Sequence, residues 1–118
     1  MVNMEKKIPD KYQQELLELN MPGVEGKAWS KELLLKFLDD NSSKDFAIVG
    51  GDVIEIDENG KMKYTYDNWG IDGRNIGESF HEYSGRCAVL TREYILNYPA
   101  KENTRFVPVM SSEVTTGM

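Results

Sequence analysis

Cys87 and His81 are the only thiol and the only imidazole in the 118 residues. A cysteine beside a histidine can form a nucleophile and its base. These two stand six positions apart in a segment whose periodicity predicts a helix, about 240° apart around its axis, so they point away from each other. Cys87 falls within an apolar stripe and reads as a small buried residue. Zinc sites draw on clustered Cys and His, so no metal is expected. Asp52, Asp67 and Glu78 could hold a cation or act as acid and base. Nothing in their spacing fixes their mutual geometry, and no nucleophile–base pair accompanies them. The glycines of residues 67–77 (Asp-Asn-Trp-Gly-Ile-Asp-Gly-Arg-Asn-Ile-Gly) are followed by no Gly-Lys-Ser/Thr, so this is not a phosphate loop. No catalytic residue, metal or cofactor is therefore expected.

Charge is the stronger signal. The net charge is −6, and it is unevenly spread. Residues 1–44 carry 8 acids and 7 bases, residues 45–82 carry 9 and 3, and residues 83–118 carry 3 and 4. The middle third thus holds the whole excess. An acidic segment repels phosphate backbones and argues against nucleic-acid partners. It attracts basic proteins and speeds their encounter. A solvated acidic face kept for solubility is the plainer explanation. No apolar run reaches the roughly 20 residues of a membrane helix. The first residues lack the apolar stretch of a signal peptide, and a lone cysteine requires no oxidising compartment. A cytoplasmic location is the expectation.

The elements that would hold these groups can be read from pattern. The length suits one domain over residues 1–118, with 1–9 and 111–118 as loose tails. Asp10 can cap a short helix to about Leu19, ended by Asn20-Met-Pro-Gly23. Ser30 starts a second, with Leu33, Leu34, Phe37 and Leu38 on one side. Phe46 to Ile56 is β-rich, and Lys61 to Tyr66 alternates strictly. A helix over about 78–98 carries Phe80, Tyr83, Cys87, Leu90 and Tyr94 at spacings of 3 and 4, and Pro99 stops it. Arg105 to Met110 is a last strand, placed at an edge because Pro108 cannot donate to a ladder. The fold class is α+β: a small antiparallel sheet, made of the hairpin 46–66 and the C-terminal edge strand, packed against helices.

The hairpin register follows from trying loop lengths. Two-residue and four-residue loops pair Ile56 with Lys63 or Lys61 and mix apolar with charged residues. A three-residue loop, Glu58-Asn59-Gly60, pairs Asp57 with Lys61, Ile56 with Met62, Glu55 with Lys63 and Ile54 with Tyr64. One face is then apolar and the other carries opposite charges, at a few tenths to about 1 kcal/mol per pair. Gly60 closes the turn in the left-handed region. In this register Asp52 lies in phase with Phe46, Ile48, Ile54 and Ile56, opposite Tyr66. Either Gly50-Gly51 forms a bulge that turns it outward, or it is buried and serves nearby donors. The structural reading is preferred: Asp52 buried, accepting from Tyr66 or the Asn68–Gly70 region, with Gly50, Gly51 and Gly60 as backbone requirements. Trp69, in a glycine-rich loop, is either a lid on the core or an exposed anchor.

Three segments together resemble a known family. Gly50-Gly51-Asp52-Val53, then Tyr64-Thr-Tyr-Asp-Asn-Trp69, then a helix ending Tyr94-Ile-Leu-Asn-Tyr98 is similar to the immunity protein 40 family of bacterial polymorphic toxin systems, and Trp29-Ser-Lys-Glu32 fits the same pattern. The resemblance implies a small α+β protein, made beside a toxin, that binds and neutralises it. The expected partner is thus a cognate, basic protein toxin, with no nucleic acid and no membrane. Contact residues are expected among Glu55, Asp57, Glu58, Asp67 and Asp72, with Trp69 as anchor if its edge is exposed. A carboxylate hydrolase built on Asp52, Asp67 and Glu78, or a general interaction adaptor, are the alternatives.

Overall fold

The structure is a computed structural model that describes residues 17–18, 27–41 and 46–111. The short strands β1 (Leu17–Glu18) and β2 (Lys27–Ala28) pair antiparallel. Helix α1 (Lys31–Asn41), strands β3 (Ala47–Ile56) and β4 (Met62–Gly70), helix α2 (Phe80–Asn97) and strand β5 (Thr104–Ser111) follow. The three long strands form one antiparallel sheet in the order β4-β3-β5. The chain is therefore a small α+β fold.

Local sequence explains each helix boundary. Ser30 Oγ accepts the Leu33 amide at 3.2 Å at the start of α1. Ser79 and Glu82 form a reciprocal capping box at the start of α2, satisfying two amides that a helix start leaves open. Tyr98 leaves the helical region immediately before Pro99. α1 buries Leu33, Leu34, Phe37 and Leu38, and Phe37 stacks on Phe46 with ring centroids 5.7 Å apart. The buried line of α2 is Phe80, Tyr83, Ser84, Cys87, Thr91 and Ile95. Leu90, expected in that stripe, is 40% exposed. The line instead passes through two small polar residues, each hydrogen-bonded: Ser84 donates to the Phe46 carbonyl at 2.6 Å, and Thr91 Oγ1 accepts from Trp69. An apolar-only reading overlooks such positions.

The hairpin adopts the three-residue loop. Ile54 is level with Tyr64, Glu55 with Lys63 and Ile56 with Met62. The Asp57 amide donates to the Lys61 carbonyl at 2.9 Å, and Gly60 has φ +79°. On β5, the Phe106 amide turns away from β3 and donates to the Trp29 carbonyl at 2.8 Å. Pro108, two residues on, presents its missing amide to the same outer side, so the sheet loses no bond. One face of the sheet packs Val53, Trp69 and Phe106 against Leu34, Phe37 and Ile95. On the other face Ala28 of β2 covers Ile54 and Val107.

The expected helix 10–19 is corrected where it can be seen: Leu17 and Glu18 pair as a strand with Ala28 and Lys27, and the rest lies outside the described residues. Cross-strand pairing overrode a periodicity carried by few residues. Ser111 belongs to β5; the remainder of the expected tails lies outside the described residues.

Candidate protein-binding face

Two irregularities in the sheet decide which side chains reach its open face. The first is at Gly50. The register between β3 and β5 shifts between Ile48 and Gly50. Ile48 and Val53 both join the helix-side core, although they stand five positions apart and unbroken alternation would put them on opposite faces. The extra residue moves Asp52 to the face away from the helices, level with Asn68 on β4 and Val107 on β5. Asp52 is exposed, so its expected burial, with bonds from Tyr66 or the Asn68–Gly70 region, is corrected. The cause is the Gly50-Gly51 bulge.

The same glycines let β3 close on Trp69. A Cβ at Gly51 would stand 2.4 Å from Trp69 Cη2 and 2.6 Å from the Val107 carbonyl oxygen. One at Gly50 would stand 2.5 Å from the Trp69 carbonyl oxygen. Trp69 is a lid that became core. Its Nε1–H donates to Thr91 Oγ1 at 3.1 Å, and its ring stacks on Tyr94 at 5.0 Å and meets Phe106 edge-on at 6.3 Å. Trp69 is buried, which removes it as the exposed anchor.

The second irregularity is in β4. Asp52 is level with Asn68, while Ile54 is level with Tyr64. Residues 65–67 thus stand against the single residue Val53. Tyr66, at the centre of this bulge, has φ +68° and is 88% exposed. The left-handed region costs a non-glycine residue about 1–2 kcal/mol. Such a conformation persists only where its surroundings impose it. Here Thr65 Oγ1 donates to the Val53 carbonyl at 2.7 Å and accepts the Asp67 amide at 3.0 Å. Asp67 Oδ2 accepts the Tyr98 hydroxyl at 2.7 Å. Burial, and then the bond to Asp67, push the Tyr98 phenol up from its ordinary value. Both flanks of Tyr66 are therefore tied down while its ring stands in solvent. The Tyr64 ring lies 6.2 Å away and is also exposed. Tyr66 does not serve Asp52, contrary to expectation.

Around the glycines lies an open hollow of about 310 Å³, floored by Gly50 and Gly51 and walled by Asp52, Asn68 and Val109. The acids extend along β4 and past both its ends. Asp57 and Glu58 sit in the hairpin turn, where Asp57 Oδ1 also accepts the Asn59 and Lys61 amides at 2.8 and 2.9 Å. Glu55 is half-buried opposite Lys63. Asp67 and Asp72 are exposed. After β4 the loop is held to α2 by Arg86, which forms a two-point pair with Glu78 (3.0 and 2.9 Å) and donates to the Gly73 carbonyl at 3.2 Å. Ile76 lies fully in solvent on this tethered loop.

Arg86, and then the Asn75 amide, hold the Glu78 carboxyl at about 2, below its ordinary 4.5, so Glu78 is a committed ion-pair partner and a poor proton donor. Cys87 is fully buried and His81 exposed, so the two do not meet. Burial pushes the Cys87 thiol up, away from the reactive thiolate. Among the described residues no three His, Cys, Asp or Glu side chains are placed to hold a metal ion. No helix among them is long and apolar enough to cross a membrane. The exposed tyrosines are the feature that pattern reading missed. Only the turn-forming Asp67-Asn68 hints at an interruption of β4.

The chain matches the family model described as Immunity protein 40 over residues 17–110. No curated protein and no solved structure matches it. The matched span takes in the hairpin, both bulges and α2, and the chain belongs to the immunity protein 40 family.

Proposed function

We propose that the chain is a toxin-neutralising immunity protein: it binds a cognate bacterial toxin domain and blocks it, without chemistry of its own. Family membership carries this reading. The residues around β4 support it, since they form an open, tyrosine-bearing, acidic surface with no paired nucleophile and base. The partner is basic. Asp52, Glu58, Asp67 and Asp72 supply a field that draws it in, with Glu55 and Asp57 adding at the rim. Lys63 offsets part of the charge of Glu55 across the strand pair. Trp69 shapes this surface from beneath and does not touch the partner. The site of action is the cytoplasm.

The test is direct. The toxin domain encoded beside this chain is purified in an inactivated form and titrated with the protein in a calorimeter, and the active form is co-expressed with the protein in a sensitive host. Tight one-to-one binding together with restored growth is the expected result. Absence of binding, several weak partners in its place, or turnover of a substrate by the protein alone would each refute the reading.

A further inference from the structure

We propose that Tyr66 is the anchor of that interface, held out by its bulge to enter a cleft on a basic partner. The inference rests on the immunity reading above and names the residue on which binding depends.

Three observations converge. Tyr66 combines a left-handed backbone with 88% exposure. A large side chain in that conformation gains little from this fold, since almost none of its surface is covered. Asparagine or glycine would occupy the position with less strain. Second, the bulge is imposed. Thr65, Asp67 and Tyr98 fix it through three hydrogen bonds of 2.7–3.0 Å, so the ring is presented from a preset backbone. Preset aromatic side chains lose little freedom on binding and recur as the dominant residues of interfaces. Third, the surroundings select the partner's charge. Exposed Asp67, its carboxylate tied to Tyr98 at the end of α2, follows Tyr66 in the chain, and exposed Asp52 lies across the strand pair beside Asn68. The Tyr64 ring, 6.2 Å away, forms a second aromatic surface. Phenol faces and carboxylates together suit lysine and arginine side chains, through cation–π contacts and ion pairs. Stacking nucleic-acid bases would instead require a basic groove.

The experiment compares wild type with Tyr66→Asn and Tyr66→Phe. Each is melted and then tested by biolayer interferometry against the inactivated toxin domain encoded beside this chain. Asn tolerates the left-handed backbone, so Tyr66→Asn is expected to melt at or above wild type. Its dissociation should be about 30-fold faster or more, the loss typical of a dominant interface residue. Tyr66→Phe keeps the ring and should stay within about fivefold of wild type, a loss no greater than that of about one net hydrogen bond. If wild type binds tightly and Tyr66→Asn binds within threefold of it, the anchor is elsewhere while the immunity reading stands. If wild type does not bind at all, both fall. A lowered melting temperature for Tyr66→Asn would make the ring structural, and a homodimer that Tyr66→Asn dissolves would assign the ring to a second copy of this chain. Either result overturns the proposal.

Discussion

Replacing Gly51 with alanine tests the seat of Trp69 most sharply. The new methyl would lie 2.4 Å from Trp69 Cη2 and 2.6 Å from the Val107 carbonyl oxygen, both well inside van der Waals contact. Neither neighbour can yield freely. The indole is fixed on one side by Thr91 and on the other by Tyr94. The carbonyl belongs to β5, whose ladder with β3 runs in register through this point. Overpacking of a core by one carbon costs about 1–3 kcal/mol. With backbone as one of the two obstacles, the upper part of that range applies, about 2–3 kcal/mol. For a domain of this size that lowers the melting temperature by roughly 8–12 °C. The measurement is a calorimetric or circular-dichroism melt of Gly51→Ala beside wild type. Near-ultraviolet dichroism follows the Trp69 environment in the same samples. A melt within about 2 °C of wild type with an unchanged tryptophan signal would refute the close approach, and with it the account of why Gly-Gly stands at this bend.

Charge, acid and thiol chemistry give further tests. Glu55→Lys with Glu58→Lys should slow association with the toxin domain most at low salt, because screening hides the rim field at high salt; stopped-flow rates that ignore salt would contradict the steering role. The Glu78 carboxyl titrates at about 2 in the folded chain against an ordinary 4.5, so its stabilising effect is complete above 4.5 and fades as pH falls toward 2. Glu78→Gln should therefore lower the melting temperature at pH 7 and flatten its fall below 4.5, and parallel acid limbs in the two proteins would count against the Arg86 pair. Cys87, fully buried, should resist a disulfide-exchange reagent such as DTNB in the native protein and react fully in denaturant; rapid labelling of the folded chain would show that α2 opens.

The hairpin was legible because two independent patterns agreed. Ile54, Ile56, Met62 and Tyr64 had to share a face, Glu55 had to meet Lys63, and only one loop length satisfied both. α2 was legible for a similar reason, with apolar and aromatic residues recurring at spacings of 3 and 4 and a stop at Pro99. The hollow and its rim were harder to see. Asp52 changed face because one extra residue near Gly50 reversed the alternation, and a run of glycines does not state on which residue the slip occurs. Tyr66 stands in solvent and Trp69 in the core for a related reason. Two further residues in β4 carried Tyr66 into solvent, while Trp69 landed over Gly51. Whether an aromatic residue in a strand faces in or out depends on counting from the nearest bulge, and bulges leave little trace in composition.

The Gly50-Gly51-Asp52 bend also bears on how the protein is made. The hairpin of β3 and β4 joins neighbours in sequence and can close within microseconds. β5 and its link to Trp29 bring together distant stretches of chain, a slower event. In that interval the far edge of β3 stands bare. Its residues Ala47-Ile-Val and Val53-Ile are the kind that recruit strands from other chains. The bulge interrupts the regular alternation of this strand near its middle, and Asp52 places a charge beside it. A nascent chain waiting for its last strand therefore offers no long flat edge to its neighbours. The feature that sets Asp52 on the open face of the sheet also guards the chain while it is still incomplete.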